Sequence, residues 1–437
     1  MTRSNRNLRA ALLAFFVLVA VAIGLLTAVQ PLRNLLTPPA EQYRAEGDAF
    51  LADGRLAEAV LSYRQAVSAD PDNQAARNSL ADAYTRQGRL RTAAALLEPG
   101  QTLSLAHPPV DPSAGLTPAW IIRPALATPT GAAFNDGQLF VAYENGTLAV
   151  LALPSGQLVW SVTLSQTALS APAAGGGLVF AGEYNGLLHA LSAQDGSPQW
   201  NYPTGGPLFA APLLSGETLY LPSSDGSLYA LDSRDGSLRW QFTTPGALHG
   251  SPAVSGGVIY MGSNDGKLYA LSAESGAPVW QDGIQTNGAV ESPPVITGGR
   301  VIFGSADGRV YALAPESGGQ YWRFSTPDGV YASPLVAGEA VYIASAGHTL
   351  SAVDFTSGAR IWETELASAL RSPPVLVSER LLLAADADPH LYSIAAGSGQ
   401  VMAAIDTGDW TAGGPWLVGD MLYLLGKDGA ILAYRLP

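Results

Sequence analysis

Residues 251–280 read SPAVSGGVIYMGSNDGKLYALSAESGAPVW, and the unit they form recurs from residue 120 to the C-terminus. Ala253-Val254 makes a short apolar strand, Ser255-Gly256-Gly257 turns it, and Val258-Ile259-Tyr260-Met261 forms a second strand. Asp265-Gly266 supplies the positive-φ positions of a tight hairpin. Lys267-Leu268-Tyr269-Ala270-Leu271 is a third strand, Ser275-Gly276 turns again, and Trp280 falls on the fourth. Tryptophans 120, 160, 200, 240, 280, 322 and 362 are spaced 40, 40, 40, 40, 42 and 40 residues apart, and Met402 takes the next place. A fixed period of about 40 residues with four strands per period is the pattern of a propeller blade. Such a blade cannot bury both faces alone and must stack on copies of itself.

The other copies carry the same punctuation. Asn145-Gly146, Asn185-Gly186, Asp225-Gly226, Asp307-Gly308 and Asp428-Gly429 mark the middle hairpin. Ala346-Gly347 and Asp388-Pro389 replace it in two copies, which predicts altered loops there. The Trp column is expected to wedge each indole against the neighbouring blade. Blade bodies begin near Ala132, Pro172, Pro212, Pro252, Pro294, Pro334, Pro374 and Pro415, so the count is eight. The last copy ends at Pro437 without a fourth strand, while Trp120-Ile121-Ile122 is a fourth strand with no blade before it. The expected fold is therefore mainly β, an eight-bladed β-propeller over residues 119–437. Its N-terminal strand completes the last blade and closes the ring.

The recurring [AS]xP, xDGxLYAL, [ST]G and Trp resemble the pyrroloquinoline quinone (PQQ)-like β-propeller repeat family. That resemblance implies one of two roles. One branch is the quinoprotein alcohol dehydrogenases, which hold their cofactor with calcium in the axial funnel. The other is a non-catalytic, BamB-like scaffold branch that serves outer-membrane protein assembly.

The chain has 437 residues, 14% of them charged, with net charge −13 and no cysteine. The acidic balance argues against a nucleic-acid partner, which needs a basic face. The missing cysteine excludes disulfides, thiolate metal sites and a cysteine-linked lipid anchor. Residues 10–29 carry no charge and follow Arg3, Arg6 and Arg9. Twenty apolar residues make about 30 Å of helix, one bilayer core. The basic flank predicts a cytoplasmic N-terminus, with everything after Gln30 across the membrane. Residues 1–30 are read as an uncleaved transmembrane signal anchor, a cleaved signal peptide being the competing reading.

Residues 40–98 have a helical period of 34. Tyr43, Gly47, Phe50, Ala59, Tyr63, Ala66 and Pro71, then Leu80, Ala81, Tyr84, Gly88, Ala93 and Leu97, resemble one tetratricopeptide (TPR) repeat and a truncated second copy. Such a module binds peptides or partner helices, or caps the propeller. Residues 99–118 are rich in proline and read as a linker.

No catalytic set, cofactor site or metal site is expected from these residues, and the chain is read as not an enzyme. Asp225, Asp265 and Asp307 are explained by their turns. Asp386, Asp388 and His390 form only a small acidic loop. One column invites a functional reading. Three residues before each opening proline or its equivalent stand Pro129, Leu169, Phe209, His249, Glu291, Tyr331, Arg371 and Ala412, with Trp410 two residues before the last. These loops lead into the innermost strands, at one mouth of the axial channel. Phe209, His249, Glu291, Tyr331, Arg371 and Trp410 are thus the expected partner-binding rim, since Trp, Tyr and Arg dominate interface energetics. The function expected is a membrane-anchored, extracytoplasmic protein-protein interaction scaffold, in envelope protein assembly. Its alternative is a PQQ-dependent dehydrogenase or small-molecule sensor using the funnel.

Overall fold

The computed structural model describes residues 39–436 apart from residues 88, 99, 105–115, 126, 166, 385–387 and 408–410. Contacts divide the chain into two units, Met1–Gln87 and Gly88–Pro437. The anchor expected over residues 10–29 lies outside the described residues. Among the described residues no helix is long and apolar enough to cross a membrane.

The first unit contains α1 (Pro39–Ala52), α2 (Leu56–Ala69) and α3 (Gln74–Arg86). Gly47 lets α1 and α2 cross closely: a Cβ there would stand 2.5 Å from the Tyr63 ring. The Tyr63 hydroxyl donates to Asp48 Oδ1 at 2.7 Å, and Ala59 and Ala66 are fully buried beneath it. Asn73 caps α3 by accepting from the Ala76 N–H at 3.0 Å. A cap of this type contributes about 1 kcal/mol.

The second unit holds eight antiparallel sheets. Their innermost strands define blades 1 to 8 in order: Pro129–Asn135, Ala173–Gly175, Leu213–Ser215, Ala253–Ser255, Val295–Thr297, Leu335–Ala337, Val375–Val377 and Thr411–Val418. The first of these meets the last, which closes the ring. The second and third strands of each blade are continuous buried runs because both faces are covered, as in Val258–Gly262 and Lys267–Ser272. The outer strands alternate instead, as in Gln157–Thr163, where every second residue is exposed.

Ring closure is as the sequence predicts. Thr117–Ile122 pairs antiparallel with Ile431–Arg435, placing Trp120 opposite Ala433. A fifth strand was not foreseen. Thr102–Ser104, inside the proline-rich stretch, adds to the outer edge of the same sheet, with Thr102 opposite Ile122. The preceding Gly100 N–H donates to the Arg123 carbonyl at 2.7 Å, which holds this segment on the propeller.

Seven indoles act as the expected wedges. Trp160 Nε1 donates to the Ala193 carbonyl of the next blade at 3.0 Å, Trp240 to Ala273 at 3.1 Å and Trp322 to Phe355 at 2.9 Å. The glycine of the next blade's last turn lies flat on each ring; a Cβ on Gly276 would stand 2.6 Å from Trp240. The tryptophan and serine-glycine signatures are thus two halves of one contact between blades.

Two details correct the sequence reading. Trp280 precedes its blade's fourth strand, which is only Ile284–Gln285. The two extra residues of this repeat fall between Trp280 and Thr286, where blades 2, 3 and 5 run straight from indole to threonine. The indole still reaches the Pro315 carbonyl at 2.9 Å. At the seventh blade, Ala403 holds the Trp place: it pairs with Ser393 as Trp362 pairs with Ala352. Met402 points outward, 47% exposed. One residue more between Pro374 and Asp388 than between Pro252 and Asp265 shifts the count by one. No indole is needed at this junction, because the turn that would receive it is where the chain enters and leaves blade 8.

First turns of the blades put glycine at φ near +55°, as in Gly216, Gly256, Gly298 and Gly338; Ser378 takes the same place at φ +54°. A side chain there is strained by roughly 1–2 kcal/mol, partly offset by glycine's greater freedom when unfolded. Ser378→Gly should raise stability by about 0.5–1 kcal/mol, read as a higher denaturant midpoint at unchanged slope. An unchanged midpoint would show that the turn carries no strain.

Candidate functional site at the axial mouth

The mouth is built from two sets of loops. One set leads into the innermost strands, and the other contains the middle hairpins. In blade 3, the Ser224 N–H donates to the Pro207 carbonyl of its own lead-in loop at 2.9 Å, while the Ser223 carbonyl accepts from Leu248 of the next lead-in loop at 3.1 Å. Asn264, Ala306 and Ala346 repeat the first bond, and Val290, Val330 and Leu370 repeat the second. Backbone bonds therefore run from blade to blade around this part of the mouth. Leu208, Leu248, Val290, Val330 and Leu370 are buried anchors, and the residue after each is the variable one of the rim column.

The hairpin aspartates hold these loops in shape. Asp225 accepts the Ser227 N–H on one oxygen and the Tyr229 hydroxyl, at 2.7 Å, on the other. Asp265 does the same with Lys267 and Tyr269. Asp388, despite the following proline, accepts the His390 N–H at 3.0 Å and the Tyr392 hydroxyl at 2.5 Å. Burial, with the Asp388 carboxylate beside it, pushes the Tyr392 hydroxyl up to about 12, so it remains a donor. The altered Asp388-Pro389 loop thus keeps the ordinary contacts. In blade 6 the turn pair is Gly347-His348 rather than Ala346-Gly347, with His348 at φ +65°. Blade 2 uses another pair: Glu183, 1% exposed, meets His189 Nε2 at 2.8 Å.

On this frame five of the six predicted rim residues fall into two groups. Phe209 meets Tyr184 edge-on at 4.7 Å between centroids and His249 edge-on at 5.1 Å. His249 Nδ1 lies 3.4 Å from Glu291 Oε1 and 3.1 Å from Asn264 Nδ2, and its Nε2 lies 3.1 Å from Ser224 Oγ. The Arg371 guanidinium stacks on the Tyr331 ring at 5.0 Å. One arc therefore runs over blades 2 to 5, and an Arg–Tyr pair spans blades 6 and 7. Phe209 is 41% exposed. Leu169 and Pro129 are buried and take no part. Trp410 lies outside the described residues.

Tyr184, Ser224 and Asn264 were missed. They precede the turn residue of the middle hairpin, a column that also changes from blade to blade: Glu144, Tyr184, Ser224, Asn264, Ala306, Ala346, Lys427. The arrangement offers aromatic edges, an imidazole beside a carboxylate, and a stacked guanidinium. Asp225, Asp265 and Asp388 accept hydrogen bonds on both oxygens within their own hairpins. Among the described residues no cluster of three or more histidines and carboxylates could hold a metal.

The comparisons with known proteins agree with the propeller fold. No curated protein sequence matches the chain. The solved structure of BamB from Moraxella catarrhalis superposes with a TM-score of 0.64 at 20% identity, covering 74% of this chain and 98% of that one. The computationally designed Ika8 protein gives 0.63 at 16%, over 71% and 97%. Quinohemoprotein alcohol dehydrogenase from Comamonas testosteroni gives 0.62 at 13%, over 74% and 78%. At these identities the three share the fold. A family described as TPR repeat matches residues 47–88. The family described as outer membrane protein assembly factor BamB matches residues 110–247, 144–292, 285–403 and 346–436. On that match, which takes in every blade, the chain belongs to the family of outer membrane protein assembly factor BamB and carries a tetratricopeptide repeat ahead of its propeller.

Proposed function

We propose that this protein is a non-catalytic scaffold that binds other proteins at the axial mouth of its propeller and takes part in envelope protein assembly. The observation that carries the reading is the contiguous set Tyr184, Phe209, His249 and Glu291, with Tyr331 and Arg371, on an otherwise repetitive frame. Exposed aromatic and arginine side chains on a backbone-bonded ring are pre-organised anchors, and pre-organisation lowers the ordering cost of association. The helical repeat is a second surface for peptides or partner helices. A photo-cross-linking residue at Phe209 or Tyr331 should capture partner protein from membranes. The same residue at Glu217 or Glu274, exposed on turns of the opposite face, should capture little. Equal capture from both faces would remove the mouth as the recognition surface.

The uncharged run at residues 10–29 and the arginines before it support a membrane anchor with the propeller outside the cytoplasm. A reporter fused after Pro437 is then active only if it requires an extracytoplasmic setting. Activity of a cytoplasm-dependent reporter at that site would reverse the orientation.

A further inference from the structure

We propose that the outer edge of blade 7, Val401–Asp406, is a strand-docking site for an extended segment of another protein, apolar with flanking lysine or arginine. The chain itself shows that such an edge accepts a strand. At blade 8 the outer edge of Thr117–Ile122 is covered by Thr102–Ser104 in regular antiparallel register. Among the described residues, the fourth strand ends its sheet in blades 1 to 7. An uncovered strand edge presents a row of N–H and C=O groups to any chain that can pair with it.

The seven edges differ in how they are protected. Blade 2 has Pro198 and Pro203 on its outer strand, blade 3 has Arg239, blade 5 has Arg323, and blade 6 has Arg360, Glu363 and Glu365. Blade 4 has only Ile284–Gln285. Blade 1 is uncharged, but its last turn is held by the chain's own segment, Thr102 Oγ1 donating to the Gly156 carbonyl at 2.9 Å. Blade 7 has none of these devices from Val401 to Ile405, and Val401 and Met402 are 40% and 47% exposed. With Ala403 in the tryptophan's place, this strand also lacks the indole clamp that ties the other outer strands to the next blade.

Charge decides the occupant. Asp406 ends the docking strand itself, Glu365 and the Arg360-paired Glu363 stand on the outer strand of blade 6, and the chain carries −13 in all. Two copies meeting edge to edge would repel, whereas a segment with basic flanks is attracted. A single added strand gives modest affinity from backbone hydrogen bonds, with alternate side chains setting preference.

The chain has no cysteine, so Ala404→Cys in the full-length protein provides a unique thiol on the edge. The probe is a synthetic peptide alternating valine and threonine around a central cysteine, with two lysines at each end. With copper–phenanthroline as the oxidant, disulfide capture at Ala404→Cys should be about tenfold faster than at Gln199→Cys, on the proline-flanked edge of blade 2. Two further peptides, N-methylated on alternate amides in one register or the other, separate backbone pairing from side-chain attraction. One of the two should fall to the control rate. Equal capture at both sites, or no effect of either methylation, would overturn the proposal. So would faster formation of a protein–protein disulfide through Ala404→Cys than of the peptide adduct, which would give the edge to a second copy.

Discussion

Trp120→Ala should lower stability by about 3–5 kcal/mol, the most damaging single change of the set. Trp120 is 4% exposed, its Nε1 donates to the Pro154 carbonyl of blade 1 at 2.6 Å, and its ring lies 5.8 Å from that of Tyr423. It belongs to a core shared by blades 8 and 1 that includes Ile122, Leu139, Val141 and Ile431. Truncation leaves a cavity at the seam where the first and last strands of the propeller share one sheet, and it removes the donor from the Pro154 carbonyl. Arg123, just beyond the same strand, pairs with Asp428 of the last middle hairpin and ties this seam as well. Trp240, which is half-buried, should lose less on the same change, and Met402→Ala should stay within about 0.5 kcal/mol. Equilibrium denaturation of the three variants checks the order. If Trp120→Ala and Met402→Ala unfold at the same midpoint, the N-terminal strand does not close the ring.

Much of this architecture is legible in one sequence because a repeat states its rules many times. The tryptophan spacing, the opening prolines and the orphan Trp120-Ile121-Ile122 strand together imply eight blades and a closing strand. What the sequence hides is where an irregularity falls. The 42-residue step is visible as a number, but only the ladder shows the insertion between Trp280 and Thr286. Counting by forties reaches Met402, whereas the pairing of Ala403 with Ser393 shows the column one place on. The rim column was readable because Phe209, His249, Glu291, Tyr331 and Arg371 are unlike one another where their neighbours repeat. Their partners Tyr184, Ser224 and Asn264 were not, since it takes the fold to put middle hairpins beside lead-in loops. The Asp-x-x-x-Tyr spacing was in plain view, yet only geometry shows the hydroxyl on the carboxylate.

The second large effect is on binding rather than folding. Phe209→Ala, Tyr331→Ala and Arg371→Ala combined should leave thermal stability nearly unchanged, within about 0.5 kcal/mol per site, because each projects from a loop whose buried anchor is the preceding Leu208, Val330 or Leu370. Partner affinity should fall steeply, since truncation of an aromatic or arginine hot spot costs about 2 kcal/mol or more. The three sites lie on blades 3, 6 and 7, so a partner must span much of the mouth to feel all three. Phe209 also supports His249 through their edge-on contact, and Arg371 rests on Tyr331. Phe209→Ala alone should thus disturb the His249–Glu291 pair, while Tyr331→Ala and Arg371→Ala should not add independently to one another.

The most direct test of the scaffold reading is the dissociation constant of the cross-linked partner, once isolated, for the parent protein and for this triple variant. It is to be measured at a temperature where both are fully folded. A mouth that recognises the partner predicts a loss of about 100-fold or more, with the melting transition in place. The same affinity for both proteins, with the fold equally intact, would contradict it and move recognition to the helical repeat or to the blade edges.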